Sequence, residues 1–214
     1  MSDIMKLKNA TGAGVMDCKN ALAECGGNYE KAAALLRERG IAKAAKKEGS
    51  DRVNSEGSVF TYNHMGGKIA VLVEINCETD FAAKADAFLE LGKNIAMHIA
   101  AAKPLYLEES EVPTAELETE KEILKKQALN EGKPANVVDK MVEGRVKKYY
   151  QEICLVHQPF VKDPSKSIKD VVTEAIAFIG EKITIRRFVR FEMGEGLEKK
   201  EDNFAEEVAK QMNK

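Results

Sequence analysis

The sequence predicts an α+β chain: a compact bundle of three short helices, then a core of a three-stranded antiparallel sheet with flanking helices and a helical hairpin. Three observations carry this reading. The first fifty residues place apolar side chains at helical spacing only, with no alternating run. Two strand-like runs flank His64-Met65-Gly66-Gly67, and Ile183 to Met193 supplies a third. Between these runs, two long charged helical segments are split by Gly132-Lys133-Pro134.

A short segment from Asp3 to Lys8 leads into Thr11-Gly12-Ala13-Gly14. A helix from about Val15 to Cys25 then sets Val15, Cys18, Leu22 and Cys25 along one stripe. Gly26-Gly27 ends it. Asn28 has the side chain to cap a third helix, in which Ala32, Leu35 and Leu36 face inward and which is expected to close at Gly40. Such a bundle buries little surface by itself and suits docking. The Ala-, Lys- and Ser-rich stretch that follows, helical at first and then a loop near Gly49-Ser50-Asp51, reads as a linker over residues 43–55. It divides a helical domain, 1–42, from a core, 56–200.

The core opens with a strand from Gly57 to Asn63 and a second in which Ile69, Val71, Val73, Ile75 and Cys77 share one face. That strand stops at Cys77-Glu78-Thr79-Asp80-Phe81, where Thr79 or Asp80 has the side chain to accept from the free N–H groups of a following helix. The helix is expected to run to about Ala102, with Phe81, Ala85, Phe88, Ile95, Ile99 and Ala102 on one stripe, and to end before Pro104. Next come the hairpin helices, Thr114 to Asn130 and Pro134 to Cys154, expected to pack on the rest of the core. Gln158 to Pro164 reads as an extended loop, and Ser167 with Asp170 as a capping box for a helix stopped by Gly180. Ile183, Ile185, Val189, Phe191 and Met193 alternate as the third strand, interrupted on that face by Arg187. Residues 201–214 form a tail whose helix, Asn203 to about Met212, carries Phe204, Val208 and Met212 on one side.

Composition narrows the function classes. A net charge of −2 and a pI near 6.0 give no strong positive field, so nucleic acid is not expected as a direct partner. Neither a secretory leader nor a run near the ~18 apolar residues of a membrane span is visible, so a cytoplasmic chain without membrane contact is expected. Cys18, Cys25, Cys77 and Cys154 are scattered and fit reduced thiols. His64 and His157 lack a local nucleophile or metal-ligand partner, and His98 reads as a satisfied structural histidine, so no enzyme site, metal or cofactor is expected. Gly12-Ala13-Gly14 follows no strand and lacks the phosphate-loop pattern. Lys43, Lys46 and Lys47 suit a helix C-terminus. For Phe81 two readings stand side by side: a core residue at the start of an apolar stripe, or a ring projecting beside Asp80 into a partner's pocket. Two broader alternatives also stand, a plain docking module and an RNA-binding accessory factor led by its Lys-rich linker.

A resemblance adds to these readings. The stretches Thr11-Gly12-Ala13-Gly14-Val15-Met16-Asp17-Cys18, Leu36-Arg37-Glu38-Arg39-Gly40, Val73-Glu74-Ile75-Asn76-Cys77-Glu78-Thr79-Asp80-Phe81, Gln158-Pro159-Phe160-Val161-Lys162-Asp163 and Ile185-Arg186-Arg187-Phe188 run in order through nearly the whole chain. In these motifs it resembles the elongation factor Ts family, the nucleotide-exchange partners of elongation factor Tu. The resemblance implies a ubiquitin-associated-like N-terminal bundle and a partner, elongation factor Tu, whose bound GDP and Mg²⁺ are acted on without a covalent reaction or a cofactor of the chain's own. It implies that the partner-binding motif Thr79, Asp80, Phe81 and Ala82 enters the partner near its Mg²⁺, and that Val15, Met16 and Asp17 touch a helix of the same GTPase domain. Ala82 stands where members commonly carry Val, trimming the motif's apolar edge, and Ala10 where Arg is frequent. Longer members add a second half of the core and a protruding hairpin. This chain is too short for the full set, which leaves two arrangements open, one copy acting alone or a homodimer within a two-plus-two complex.

Overall fold

The computed structural model describes residues 2–50, 54–132 and 134–197. The expected tail helix lies outside them. Three helices come first, α1 (Asp3–Thr11), α2 (Val15–Glu24) and α3 (Tyr29–Glu48), around Leu7, Cys18, Ala21, Ala32 and Leu36. The Asn28 side chain caps α3, accepting from the Lys31 N–H at 2.9 Å.

α3 does not close at Gly40; it runs on to Glu48. Gly40 keeps a helical backbone, and its missing side chain serves packing instead: a Cβ there would lie 3.2 Å from that of Ala177. One turn further on, Ala44 is buried in the main core. The first part of the expected linker is therefore helix, as its Ala- and Lys-rich composition favours, and burial of Ala44 anchors it to the core.

In chain order the core then runs β1 (Glu56–His64), β2 (Ile69–Cys77), α4 (Asp80–Ala83), α5 (Asp86–Ala102), α6 (Thr114–Asn130), α7 (Ala135–Ile153), β3 (Pro159–Phe160), β4 (Asp163–Ser167), α8 (Ile168–Ile179) and β5 (Ile183–Glu192). The segment read as an extended loop thus pairs with itself as the short β3–β4 hairpin. The three-stranded antiparallel sheet has the order β1-β2-β5. Its inner face, Phe60, Val71, Val73, Ile75, Cys77, Ile183 and Ile185, packs with Phe88, Leu91, Ile95 and Ile99 of α5 and with Ile168 and Ile176 of α8. Alternation in β2 produces this face directly: every second residue points toward the helices.

β5 departs from simple alternation. Its pairing with β2 steps from Glu74 opposite Arg187 to Ile75 opposite Ile185, so Arg186 is an extra residue and the strand bulges there. An extra residue inverts the facing of everything beyond it. Ile183 and Ile185 stay inward, whereas Val189, Phe191 and Met193, expected on that same face, are exposed. Arg190 takes the inward place and donates to the Ala100 carbonyl of α5 at 3.3 Å.

The hairpin α6–α7 forms as expected, but among the described residues its buried packing on the rest lies at its base, where Val112, Ile153 and Cys154 are buried with Leu117, Tyr149 and Tyr150 around them. There the Tyr106 and Tyr149 hydroxyls both donate to Glu116, at 2.6 and 2.7 Å. Beyond the base the two helices pack on each other.

Candidate functional site

The site begins where β2 runs out. Cys77 is fully buried, which pushes its thiol pKa up, and its Sγ–H donates to the Thr79 carbonyl at 3.2 Å. Thr79 keeps an extended backbone and caps the next turn, its Oγ1 accepting from the Ala82 N–H at 3.3 Å. The helix so started, α4, lasts a single turn. Ala85 then returns to extended backbone and α5 starts afresh.

This break overturns the core reading of Phe81. A continuous helix would bring Phe81 onto the stripe of Ala85, Phe88 and Ile95, whereas the reset at Ala85 places α4 on its own axis. Ala82 and Ala83 become its inward face, Ala82 being 4% exposed, and Phe81 is left 82% exposed. The expected core stripe therefore begins after Phe81. Ala82, expected among the partner-binding residues, is buried and seats the turn instead. Asp80 is exposed beside the ring, and the Lys84 ammonium, 2.8 Å from its carboxylate, holds the Asp80 pKa below the ordinary value. An exposed pair of this kind contributes little to stability, but it orients the acid next to the aromatic.

The junction is also tied to the turn between α8 and β5. Thr79 donates from its N–H and its hydroxyl to Glu181, at 3.1 and 2.8 Å, and the Lys182 N–H donates to Glu78 at 2.8 Å. Sequence reasoning missed both contacts. Gly180 was legible as a helix stop, yet nothing local ties Glu181 to a threonine 102 positions earlier.

Val15 and Met16 lie in the first turn of α2 with exposed side chains, Met16 at 63%, and Asp17 pairs with Lys43 of α3 at 3.4 Å. One turn along α3, Lys47 donates to the Gly180 carbonyl and lies 4.0 Å from Glu78. Lys43 and Lys47 share a helix face about 6 Å apart along the axis. The α2 patch and the Phe81 junction therefore flank one ridge of α3. Among the described residues no cluster of three or more His, Cys, Asp or Glu is placed to hold a metal, and no helix is long and apolar enough to cross a membrane.

The family model for elongation factor TS matches residues 46–195, from the end of α3 past the end of β5. The elongation factor Ts of Desulfitobacterium hafniense is 58% identical over 213 residues, covering 100% of this chain and 97% of that one. The chain belongs to the elongation factor Ts family. The elongation factor Ts of Acetivibrio thermocellus is 60% identical over 210 residues, 98% of this chain and 97% of the relative, and that of Heliobacterium modesticaldum 59% over 211 residues, 99% and 97%. The Thr79-Asp80-Phe81 junction lies inside the matched core, whereas Val15, Met16 and Asp17 precede it and fall within the stretch that the relatives match.

Proposed function

We propose that this chain binds elongation factor Tu carrying GDP in the cytoplasm and promotes GDP release, so that GTP can rebind. The observation that carries the reading is Phe81, a large aromatic 82% exposed beside a carboxylate on a turn fixed to the core. An aromatic presented on a rigid support is the kind of side chain that anchors an interface. Thr79, Asp80 and Phe81 would enter the partner near its Mg²⁺, while Val15, Met16 and Asp17 engage a helix of the same GTPase domain. A bound metal and helix-terminal N–H groups hold an anionic diphosphate, so unsettling the metal removes charge compensation and loosens the nucleotide. The coupling is reciprocal: whatever factor this chain takes from GDP affinity, GDP takes from the affinity for this chain. The chain itself makes and breaks no bond.

Stopped-flow release of labelled GDP from elongation factor Tu tests the reading. Wild type accelerates release, and Phe81→Ala reduces that acceleration by at least about tenfold, as expected for loss of a buried anchor. Excess Mg²⁺ opposes the effect. A folded wild type that leaves release unchanged rejects exchange, and an unaltered variant rejects the role of Phe81. We further infer self-association through the outer face of the sheet, where Leu72, Val189 and Phe191 stand exposed, which supports two copies of the chain acting in a two-plus-two complex.

A further inference from the structure

The Thr79 turn is held from outside its own segment. α8 ends at Gly180, whose left-handed backbone (φ 84) turns the chain so that Glu181 lies beside Thr79. Both carboxylate oxygens are engaged there, one with the Thr79 N–H at 3.1 Å and the other with its hydroxyl at 2.8 Å. The hydroxyl donates its one proton to Glu181 while a lone pair on the same oxygen accepts from the Ala82 N–H, so a single group both caps α4 and ties it to the α8–β5 turn. The reverse tie, Lys182 N–H to Glu78, closes the pair of turns into a reciprocal clamp.

Resting on the exchange reading, we propose that Glu181 is a positioning residue for Thr79-Asp80-Phe81. It fixes the Thr79 turn in the free chain, so the Phe81 ring is presented before the partner arrives. A helix of one turn does not sustain itself in water, because its nucleation is unfavourable and only a few backbone bonds reward it. Its outward aromatic contributes nothing to its own anchoring. Ala82 and Ala83 seat it from beneath, but two methyl groups set neither its start nor its direction. The Glu181 carboxylate does both, through charge-assisted hydrogen bonds in a partly buried place. Without it the turn would be less ordered in the free chain, and the remaining ordering on binding would be drawn from the affinity for the partner.

The test compares Glu181→Ala and Glu181→Gln with wild type, following amide hydrogen exchange at residues 79–83 of the free chain and GDP release from elongation factor Tu. In Glu181→Ala, protection falls at those amides. The concentration giving half-maximal acceleration rises about tenfold, the scale of a lost charged hydrogen bond, while the rate at saturation is retained. Glu181→Gln, with one acceptor oxygen of the right reach, recovers part of the loss and carries the same comparison if the alanine variant does not fold. In a Phe81→Ala background, either Glu181 substitution adds nothing, since the ring it positions is gone. Unchanged protection, or an equal loss with and without the ring, overturns the positioning role while exchange by wild type stands. A wild type that fails to accelerate release overturns the exchange reading, and the positioning role with it.

Discussion

His98 sits fully buried on α5, and its polar partners come from another part of the chain. The Val161 N–H donates to Nδ1 at 3.3 Å, which assigns the ring proton to Nε2 and lets it donate to the Gln158 side-chain oxygen at 2.9 Å. The Gln158 amide in turn donates to the carbonyls of Ala102 and Glu152. This network pins the segment leading into β3 onto the end of α5. Burial pushes the His98 pKa below its ordinary 6.5. As pH falls through 6.5, the unfolded chain therefore takes up a proton that the folded chain refuses, and stability drops until the lower folded pKa is reached. Thermal melts between pH 7 and 5 are expected to show a falling midpoint in wild type and a flatter profile in His98→Gln. The carboxylates act in a separate window: Glu192, held by Lys103 and Arg190 down to about 2 against an ordinary 4.5, loses its contribution only below that ordinary value. The structural role of His98 was legible from its place on a long helix. Gln158 and Val161 were not, because hydrogen-bond partners sixty residues away leave no local periodicity.

α5 and the sheet meet through a glycine. A Cβ at Gly92 would lie 2.2 to 2.3 Å from ring atoms of Phe60, and that ring is itself tilted against Phe88 with centroids 5.7 Å apart. Two effects oppose each other in Gly92→Ala. Helix propensity favours alanine by about 1 kcal/mol, whereas overpacking a filled core costs about 1–3 kcal/mol. With the ring boxed in by Phe88, overpacking wins, and urea unfolding is expected to give a net loss of up to about 2 kcal/mol. A gain would mean that the Phe60 ring yields freely. Elements of this kind were readable where one rule governed them, as with the alternation of β2, the capping box before α8 and the charged periodicity of α6. They were misread where tertiary packing overrode the local signal. Gly40 carries a stop signal that burial of Ala44 outweighs, and Arg186 adds a residue that reverses β5 without changing its composition. Phe81 belongs with these. An unbroken apolar stripe hid the extended Ala85 that separates the ring from the core.

At the scale of the molecule, one layer of helices covers one face of a three-stranded sheet. The other face carries Val59 on β1, Leu72 on β2, and Val189 and Phe191 on β5, all exposed, with Phe191 at 66%. It became apolar because the bulge at Arg186 turned Val189 and Phe191 outward. Leu72 lies opposite Val189 across the strand pair, so the apolar residues form a patch rather than scattered points. At one margin of the patch, Glu74 accepts from both Arg186 and Arg187 at 2.7 Å, which leaves an excess positive charge at its rim. A patch with an apolar centre and a polar rim on a single sheet suits a closed twofold contact, in which the same face meets itself. Sedimentation of the wild-type chain is accordingly expected to show a dimer, dissociating with a constant in the range of about 1–10 μM given the modest size of one sheet face. Leu72→Glu places a charge at the centre of that contact, opposite its own copy, and is expected to yield a monomer with unchanged far-UV dichroism. A wild type that stays monomeric well above that range rejects the sheet as a self-contact. The monomeric variant also separates the two scales of function: Leu72 faces away from the α5 layer, so GDP release retained by Leu72→Glu would assign exchange to a single Phe81 junction, and release lost with the dimer would assign it to the pair.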